Sequence, residues 1–310
     1  MKQRTLQNSA AISGIALHTG RRVRLALHPA APNTGVVFRR IDLPDTPTVP
    51  ALVDFVTAVQ RGTTIARGDA VVHTVEHLLA ALYAAGVQNV IVDMEGPEPP
   101  VADGSSRPFL DLIESAGLEE QEENALEWRI MEPVFLRFGG VILMAAPADD
   151  EGEYRISCTV KYGNRVATYC QYESFAVTAE NFRNELSEAR TFCLYEEIEA
   201  LMKANLIAGG SLDNSVVVKD GAILSRDGLR YPDEFVRHKM LDIVGDLSLV
   251  GRRLSGHIVA VKPGHSANVA LARELRRQIL ETATPPGAEP PHAAETDPDR
   301  EPRSKIEAGK

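Results

Sequence analysis

The sequence predicts an α+β fold, built as two similar layers packed against each other. Three observations carry that expectation. Strand-like and helix-like hydrophobic periods alternate along the chain, and the two halves carry them in a similar order. An acidic run (Glu119, Glu120, Glu122 and Glu123) stands between the halves. The 310 residues suffice for two modest domains, since domains usually run ~100–200 residues.

In the first half, Val23-Arg24-Leu25-Ala26-Leu27-His28 is apolar at every second position, as a half-buried strand is. Residues 70–85 read as a helix, with Gly86 where a C-cap glycine belongs. Val90-Ile91-Val92-Asp93-Met94 is a second strand, and a second helix is expected over 106–116 after the turn Asp103-Gly104. Strand patterns resume at 128–138 and 140–145. Helices follow near 196–204 and 233–250, then a strand at 256–261 and a last helix over 267–281. The domains are thus expected at 1–120 and 127–281. The similar order suggests an internal duplication, although no residue-level repeat is present. Beyond residue 281, Pro285-Pro286-Gly287, Pro290-Pro291 and scattered charges predict a disordered tail over 282–310.

Composition removes several function classes. A net charge of −10 argues against a broad grip on nucleic acid, though a local basic pocket for a phosphorylated ligand remains compatible with it. No stretch approaches the ~20 apolar residues of a membrane span, so membrane contact is expected to be peripheral at most. Met1-Lys2-Gln3-Arg4-Thr5 is followed by no apolar h-region, so a cytoplasmic protein is expected. The three cysteines, Cys158, Cys170 and Cys193, form no CxxC pair, which argues against a disulfide framework and a thiolate zinc site. A metal would have to be held by histidines and carboxylates.

The segment 233–250 is the most informative. On a wheel of ~100° per residue, Val236, Met240, Leu241, Ile243, Val244, Leu247 and Val250 cover about half the circumference. Phe235 and Leu249 add apolar surface on the other half, so the helix is expected to be largely buried. One stripe nevertheless carries His238, Lys239, Asp242 and Asp246, with His238, Asp242 and Asp246 four residues apart and stacked. Such groups are costly to bury unless they are paired or bind a metal. A His and an Asp at i, i+4 can share one cation, and a structural His–Asp pair is the alternative.

The helix expected at 70–85 offers a complement. Val72, Val75, Leu78, Leu79 and Leu82 form its apolar face, while His73 and His77 lie opposite beside Ala80 and Ala84. A catalytic zinc takes three protein ligands and leaves a fourth position open. His77, His238 and Asp242 would supply such a set, and Glu76 could then take a proton from the attacking water. His73 fits simple solvent exposure. In Lys262-Pro263-Gly264-His265 a Pro-Gly turn is expected to place His265 on a loop, where Asp246 could orient it as a protonated general acid. An exposed loop histidine is the alternative.

With these positions in hand, the chain resembles the UDP-3-O-acyl-N-acetylglucosamine deacetylase (LpxC) family of early lipid A synthesis. The matching segments are His73-Thr74-Val75-Glu76-His77-Leu78-Leu79-Ala80-Ala81-Leu82, Ser187-Glu188-Ala189-Arg190-Thr191-Phe192 and Gly209-Gly210-Ser211-Leu212-Asp213-Asn214. They continue in Asp233-Glu234-Phe235-Val236-Arg237-His238-Lys239-Met240-Leu241-Asp242-Ile243-Val244-Gly245-Asp246 and Lys262-Pro263-Gly264-His265, with weaker matches at Leu17-His18-Thr19-Gly20 and Asp103-Gly104-Ser105. The resemblance runs in family order over about residues 3–280.

It implies two β-α-α-β layered domains, each with a small insert, and an active site between them. It implies zinc on His77, His238 and Asp242, with iron(II) conceivable there, Glu76 as base, and His265 as acid oriented by Asp246. Thr191 would steady the oxyanion, Lys239 would bind substrate, and Phe192 would line the sugar-nucleotide pocket; apart from the resemblance, Lys239 and Lys262 are read as point charges for the diphosphate, and Gly210 as a further substrate-binding residue. An acyl passage would form over residues 194–211, with Leu201, Met202, Leu206 and Ile207 in it. The implied partner is the UDP-linked acylated glucosamine; separately, a monomer is expected. The chain departs from the family at Lys161-Tyr162-Gly163-Asn164-Arg165, where an Asp-Phe-x-His-Pro-like run is usual, and at Ala16 and Pro263. None of these is a proposed ligand. Rival readings are a non-catalytic sugar-nucleotide-binding protein, or a zinc hydrolase of another amide; an HExxH signature is absent.

Overall fold

Alternation of inward and outward side chains builds a five-stranded sheet in the order Ala10–Ile15, Arg22–Pro29, Val90–Glu95, Val36–Arg40, Thr48–Pro50. In Arg22–Pro29, Val23, Leu25 and Leu27 are buried while Arg22 and Arg24 face solvent. The structure is a computed structural model and describes residues 1–150, 152–162, 170–204 and 206–283. Most of the tail expected over 282–310, and residues 163–165 of the family departure, lie outside that description.

Six helices occur among the described residues: α1 (Glu76–Ala85), α2 (Arg107–Ala116), α3 (Ala179–Asn181), α4 (Tyr195–Lys203), α5 (Glu234–Ser248) and α6 (His265–Ala283). The fold is therefore a mixed α+β one. A larger sheet follows the order Val134–Phe138, Val141–Ala146, Arg253–Val261, Tyr154–Lys161, Cys170–Ala176, and Glu127–Arg129 pairs in parallel with the start of Arg253–Val261. The two sheets share a pattern. Each opens with an antiparallel hairpin, and each inserts its last strand between that hairpin and a second one. The inserted strand runs antiparallel to the first hairpin and parallel to the second in both cases. It is also preceded and followed by a helix in both, α1 and α2 or α5 and α6.

The two central helices, α1 and α5, pack against each other. Gly245 makes the closest approach possible: a Cβ there would lie 2.1 Å from the carbonyl oxygen of Glu76. Helix α1 ends as expected, with Gly86 left-handed at φ +77° and its N–H bonded to the carbonyls of Leu82 and Tyr83.

Four local expectations are corrected. Helix α1 starts at Glu76, not residue 70, because Ala70–Val72 is a strand paired with Thr64–Arg67. The β-branched Val71 and Val72 favour that strand, and Thr74, at φ +53°, breaks the helical run. His73 therefore lies off the helix. The acidic run is a strand, Leu118–Asn124, antiparallel to Lys2–Leu6 with Arg4 opposite Glu120. The strand expected at 128–138 is broken in two ahead of Pro133, which has no N–H to give a ladder. His265 is the first residue of α6 rather than a loop residue, because the Gly264 carbonyl already accepts from the N–H groups of Ala267 and Asn268.

Candidate active site

Contact between α1 and α5 brings together groups far apart in sequence. Glu76 and His77 stand in the first turn of α1, while His238, Lys239, Asp242 and Asp246 lie along α5. His77 Nε2 is 3.7 Å, and His238 Nε2 3.5 Å, from Asp242 Oδ1. The two rings meet at 90° with centroids 5.0 Å apart. His238 Nδ1 donates to the Ala189 carbonyl at 3.1 Å, which fixes the tautomer and leaves Nε2 unprotonated towards Asp242. Burial pushes the His238 pKa down to about 3, so the ring is neutral, as a ligand must be. Burial opposes the charge of Asp242, yet Lys239 foremost holds its carboxyl well below the usual range. Lys239 Nζ donates to Asp242 Oδ2 at 2.8 Å.

One atom here is orphaned. Asp242 Oδ1 is buried with no hydrogen-bond partner, and it is the atom that both imidazoles face. An unpaired buried carboxylate oxygen is costly, and a cation shared with the two imidazoles removes the cost. The ligand atoms of His77, His238 and Asp242 all lie within 4.8 Å of one another. Two nitrogens and one oxygen suit zinc with an open position, so the residues present fit the metal that the fold's resemblance implies.

Beside this set lies a second cluster. His265 Nδ1 donates to Asp246 Oδ2 at 2.9 Å, leaving its Nε2 3.8 Å from Glu76 Oε1 and 3.9 Å from Asp242 Oδ2. Burial alone would lower the His265 pKa, but Asp246, Glu76 and Asp242 outweigh it and hold the ring at about 10. Burial pushes the Glu76 carboxyl up, opposed by His265 and His77. Glu76 Oε2 accepts from the Thr63 N–H at 2.9 Å. Asp246 also accepts from the Thr63 hydroxyl at 2.6 Å and from Asn268 Nδ2 at 2.9 Å. Glu76, Asp246 and His265 form a second group close enough to hold a cation.

Both clusters open into a cavity of about 900 Å³. Thr191, Phe192, Leu201, Met202, Leu206, Ile207 and Gly210 line it, together with Glu76, His77, His238, Lys239, Asp242 and His265. The Phe192 ring packs on Phe235 at 4.6 Å, and Lys239 Nζ sits 5.6 Å from the Phe192 centroid. Two candidates stand apart. Lys262 is not among the lining residues, and His73 shares a 3.0 Å hydrogen bond with the Thr64 hydroxyl outside both clusters. Sequence reasoning missed Thr63, Asn268 and the Ala189 carbonyl, none of which sits in a period or spacing that marks it.

Two imidazoles and a carboxylate converging beside a carboxylate–imidazole pair have the layout of a hydrolytic metal site. The profile of the family described as LpxC, UDP-3-O-acyl N-acetylglycosamine deacetylase, matches residues 3–277. Proteins of Chlamydia pneumoniae, Chlamydia felis and Chlamydia trachomatis serovar L2, each named UDP-3-O-acyl-N-acetylglucosamine deacetylase, are 45%, 45% and 43% identical to the chain. Those matches cover 88%, 89% and 88% of this chain and 96%, 98% and 94% of the relatives. The chain belongs to this deacetylase family.

Proposed function

We propose that the chain hydrolyses the acetamide of UDP-3-O-acyl-N-acetylglucosamine, releasing acetate and UDP-3-O-acyl-glucosamine, the committed step of lipid A biosynthesis. Relatives that match almost end to end bear that activity's name. The observation that carries the reading is the orphaned Asp242 Oδ1 between two imidazoles, next to a buried carboxylate and a protonated histidine. His77, His238 and Asp242 would hold zinc, with iron(II) as the alternative metal. When bound, the metal supplies Lewis acidity, which acidifies water and polarises a carbonyl.

The remaining chemistry belongs to the chain. Glu76 Oε1, free of the Thr63 bond, takes the proton of the attacking water. His265, kept protonated by Asp246, gives a proton from Nε2 to the departing glucosamine nitrogen. The Thr191 hydroxyl supports the oxyanion, an interaction worth ~3 kcal/mol per donor. Lys239 meets the diphosphate as a point charge, while Phe192 and Gly210 border the sugar nucleotide. Leu201, Leu206 and Ile207 take the acyl chain within the insert at 194–211. The chain reads as two layered domains, 1–120 and 127–281, with the site between them, acting as a cytoplasmic monomer. Their matching sheet topologies support this division.

The test is deacetylation of the UDP-acylated substrate by wild type and Glu76→Ala, with metal content measured on both. Turnover by wild type with about one metal, and a 10²–10⁴-fold loss in Glu76→Ala with the metal retained, supports the assignment. Substrate binding without turnover by the metal-loaded wild type contradicts it.

A further inference from the structure

Thr63 touches both halves of the acid–base apparatus, although it carries no chemistry of its own. It is fully buried, just before the strand Thr64–Arg67. Its backbone N–H donates to Glu76 Oε2 at 2.9 Å, and its hydroxyl donates to Asp246 Oδ1 at 2.6 Å. Glu76 starts α1 and Asp246 belongs to α5, so one residue ties the two helices together at their catalytic carboxylates. The same loop borders the substrate cavity, since Val59 and Arg61 line it.

We propose that Thr63 is a positioning residue for this reaction, its N–H fixing the proton acceptor Glu76 and its hydroxyl fixing Asp246, which in turn aims the proton donor His265. The inference rests on the roles proposed above for Glu76, Asp246 and His265. The N–H bond takes up Oε2 and leaves Oε1, the oxygen nearer His265, for the substrate side. The hydroxyl takes up Asp246 Oδ1, so Oδ2 remains for His265 Nδ1 and Asn268. Each carboxylate is therefore held in one orientation, and the gap between Glu76 Oε1 and His265 Nε2 stays at 3.8 Å. A shift of that gap would disturb the transition state more than substrate binding.

Substitution can isolate the hydroxyl. Thr63→Val keeps the shape and the N–H but loses the hydroxyl, whereas Thr63→Ser keeps the hydroxyl and loses the methyl. Thr63→Val is expected to lower kcat by about 10–100-fold, the usual cost of losing an outer hydrogen-bond partner, with KM within about twofold and metal content unchanged. Thr63→Ser is expected to restore most of the lost kcat. In an Asp246→Ala background, Thr63→Val should cost less than about twofold, because the group it acts through is gone. All kcat values are referred to folded, metal-loaded protein, with melting curves recorded in parallel. Wild-type kcat in Thr63→Val overturns the proposal. So does a Thr63→Ser as impaired as Thr63→Val, or the same loss in the Asp246→Ala background, since either marks packing. Glu76→Ala and Asp246→Ala are the controls: if they keep full activity, the assignment of the site fails as well.

Discussion

Helices α1 and α5 occupy corresponding places in two sheets of the same strand order, yet they bring chemistry to the site in different ways. Helix α5 presents its groups along its length, with His238, Asp242 and Asp246 stacked over two turns. Helix α1 presents only its first turn, where Glu76 and His77 are consecutive. The proposed metal ligands are thus shared across the contact, one from α1 and two from α5. The proposed proton acceptor, Glu76, comes from one helix, and Asp246, proposed to orient the proton donor, from the other. On that proposal neither helix carries the whole set, and the α1–α5 contact brings its members together.

The sharpest way to break this division is to remove an α5 ligand. Asp242→Ala is expected to lose bound metal and to lower activity by more than about 10³-fold, checked by metal analysis and turnover. Glu76→Ala, on the α1 side, should lose comparable activity while keeping its metal. That contrast separates a ligand from a base. If both variants lose metal, the division of labour between the helices is wrong.

A pH profile separates the two proposed acid–base groups. Glu76 must be ionised to accept a proton, and burial raises its pKa, so the acid limb should lie above the ordinary carboxylate range. His265 must be protonated to donate, and its pKa is held up at about 10, so activity should persist below that value and fall as pH rises through it. In Asp246→Asn the main attraction is lost while burial remains, so the alkaline limb should move to lower pH. An unmoved limb in kcat/KM would separate His265 from that titration.

The contact itself can be probed at Gly245. A methyl group there would meet the Glu76 carbonyl oxygen at 2.1 Å, so the helices must separate. Overpacking of this kind costs about 1–3 kcal/mol, which thermal melting of Gly245→Ala should register as a drop of several degrees. Activity should fall beyond what the loss of folded protein explains, because Glu76 moves away from Asp242.

The same contrast between helices explains what could be read in the sequence. The α5 stripe was legible because i, i+4 and i+8 spacing survives burial and sits within an unbroken apolar helix. The start of α1 was not, because Val72 and Val75 continue a helical period back into what is a strand, and it is ended by pairing with Thr64–Arg67 and by the backbone at Thr74. The acidic run between the halves gives no sign of being a strand, because its partner, Lys2–Leu6, lies more than a hundred residues away. Thr63 was invisible for the same reason: its hydroxyl meets Asp246 across 183 residues, and no local period records such a contact. His265 was recognisable as a candidate acid, although its helical address followed from the Gly264 carbonyl rather than from the Pro-Gly turn.

The most direct test of the shared site is anomalous diffraction at the zinc edge from crystals of the metal-loaded protein. A single peak at ~2.0–2.2 Å from His77 Nε2, His238 Nε2 and Asp242 Oδ1 is expected. A peak lying instead among Glu76, Asp246 and His265 would contradict it, because the proton acceptor and donor would then be ligands.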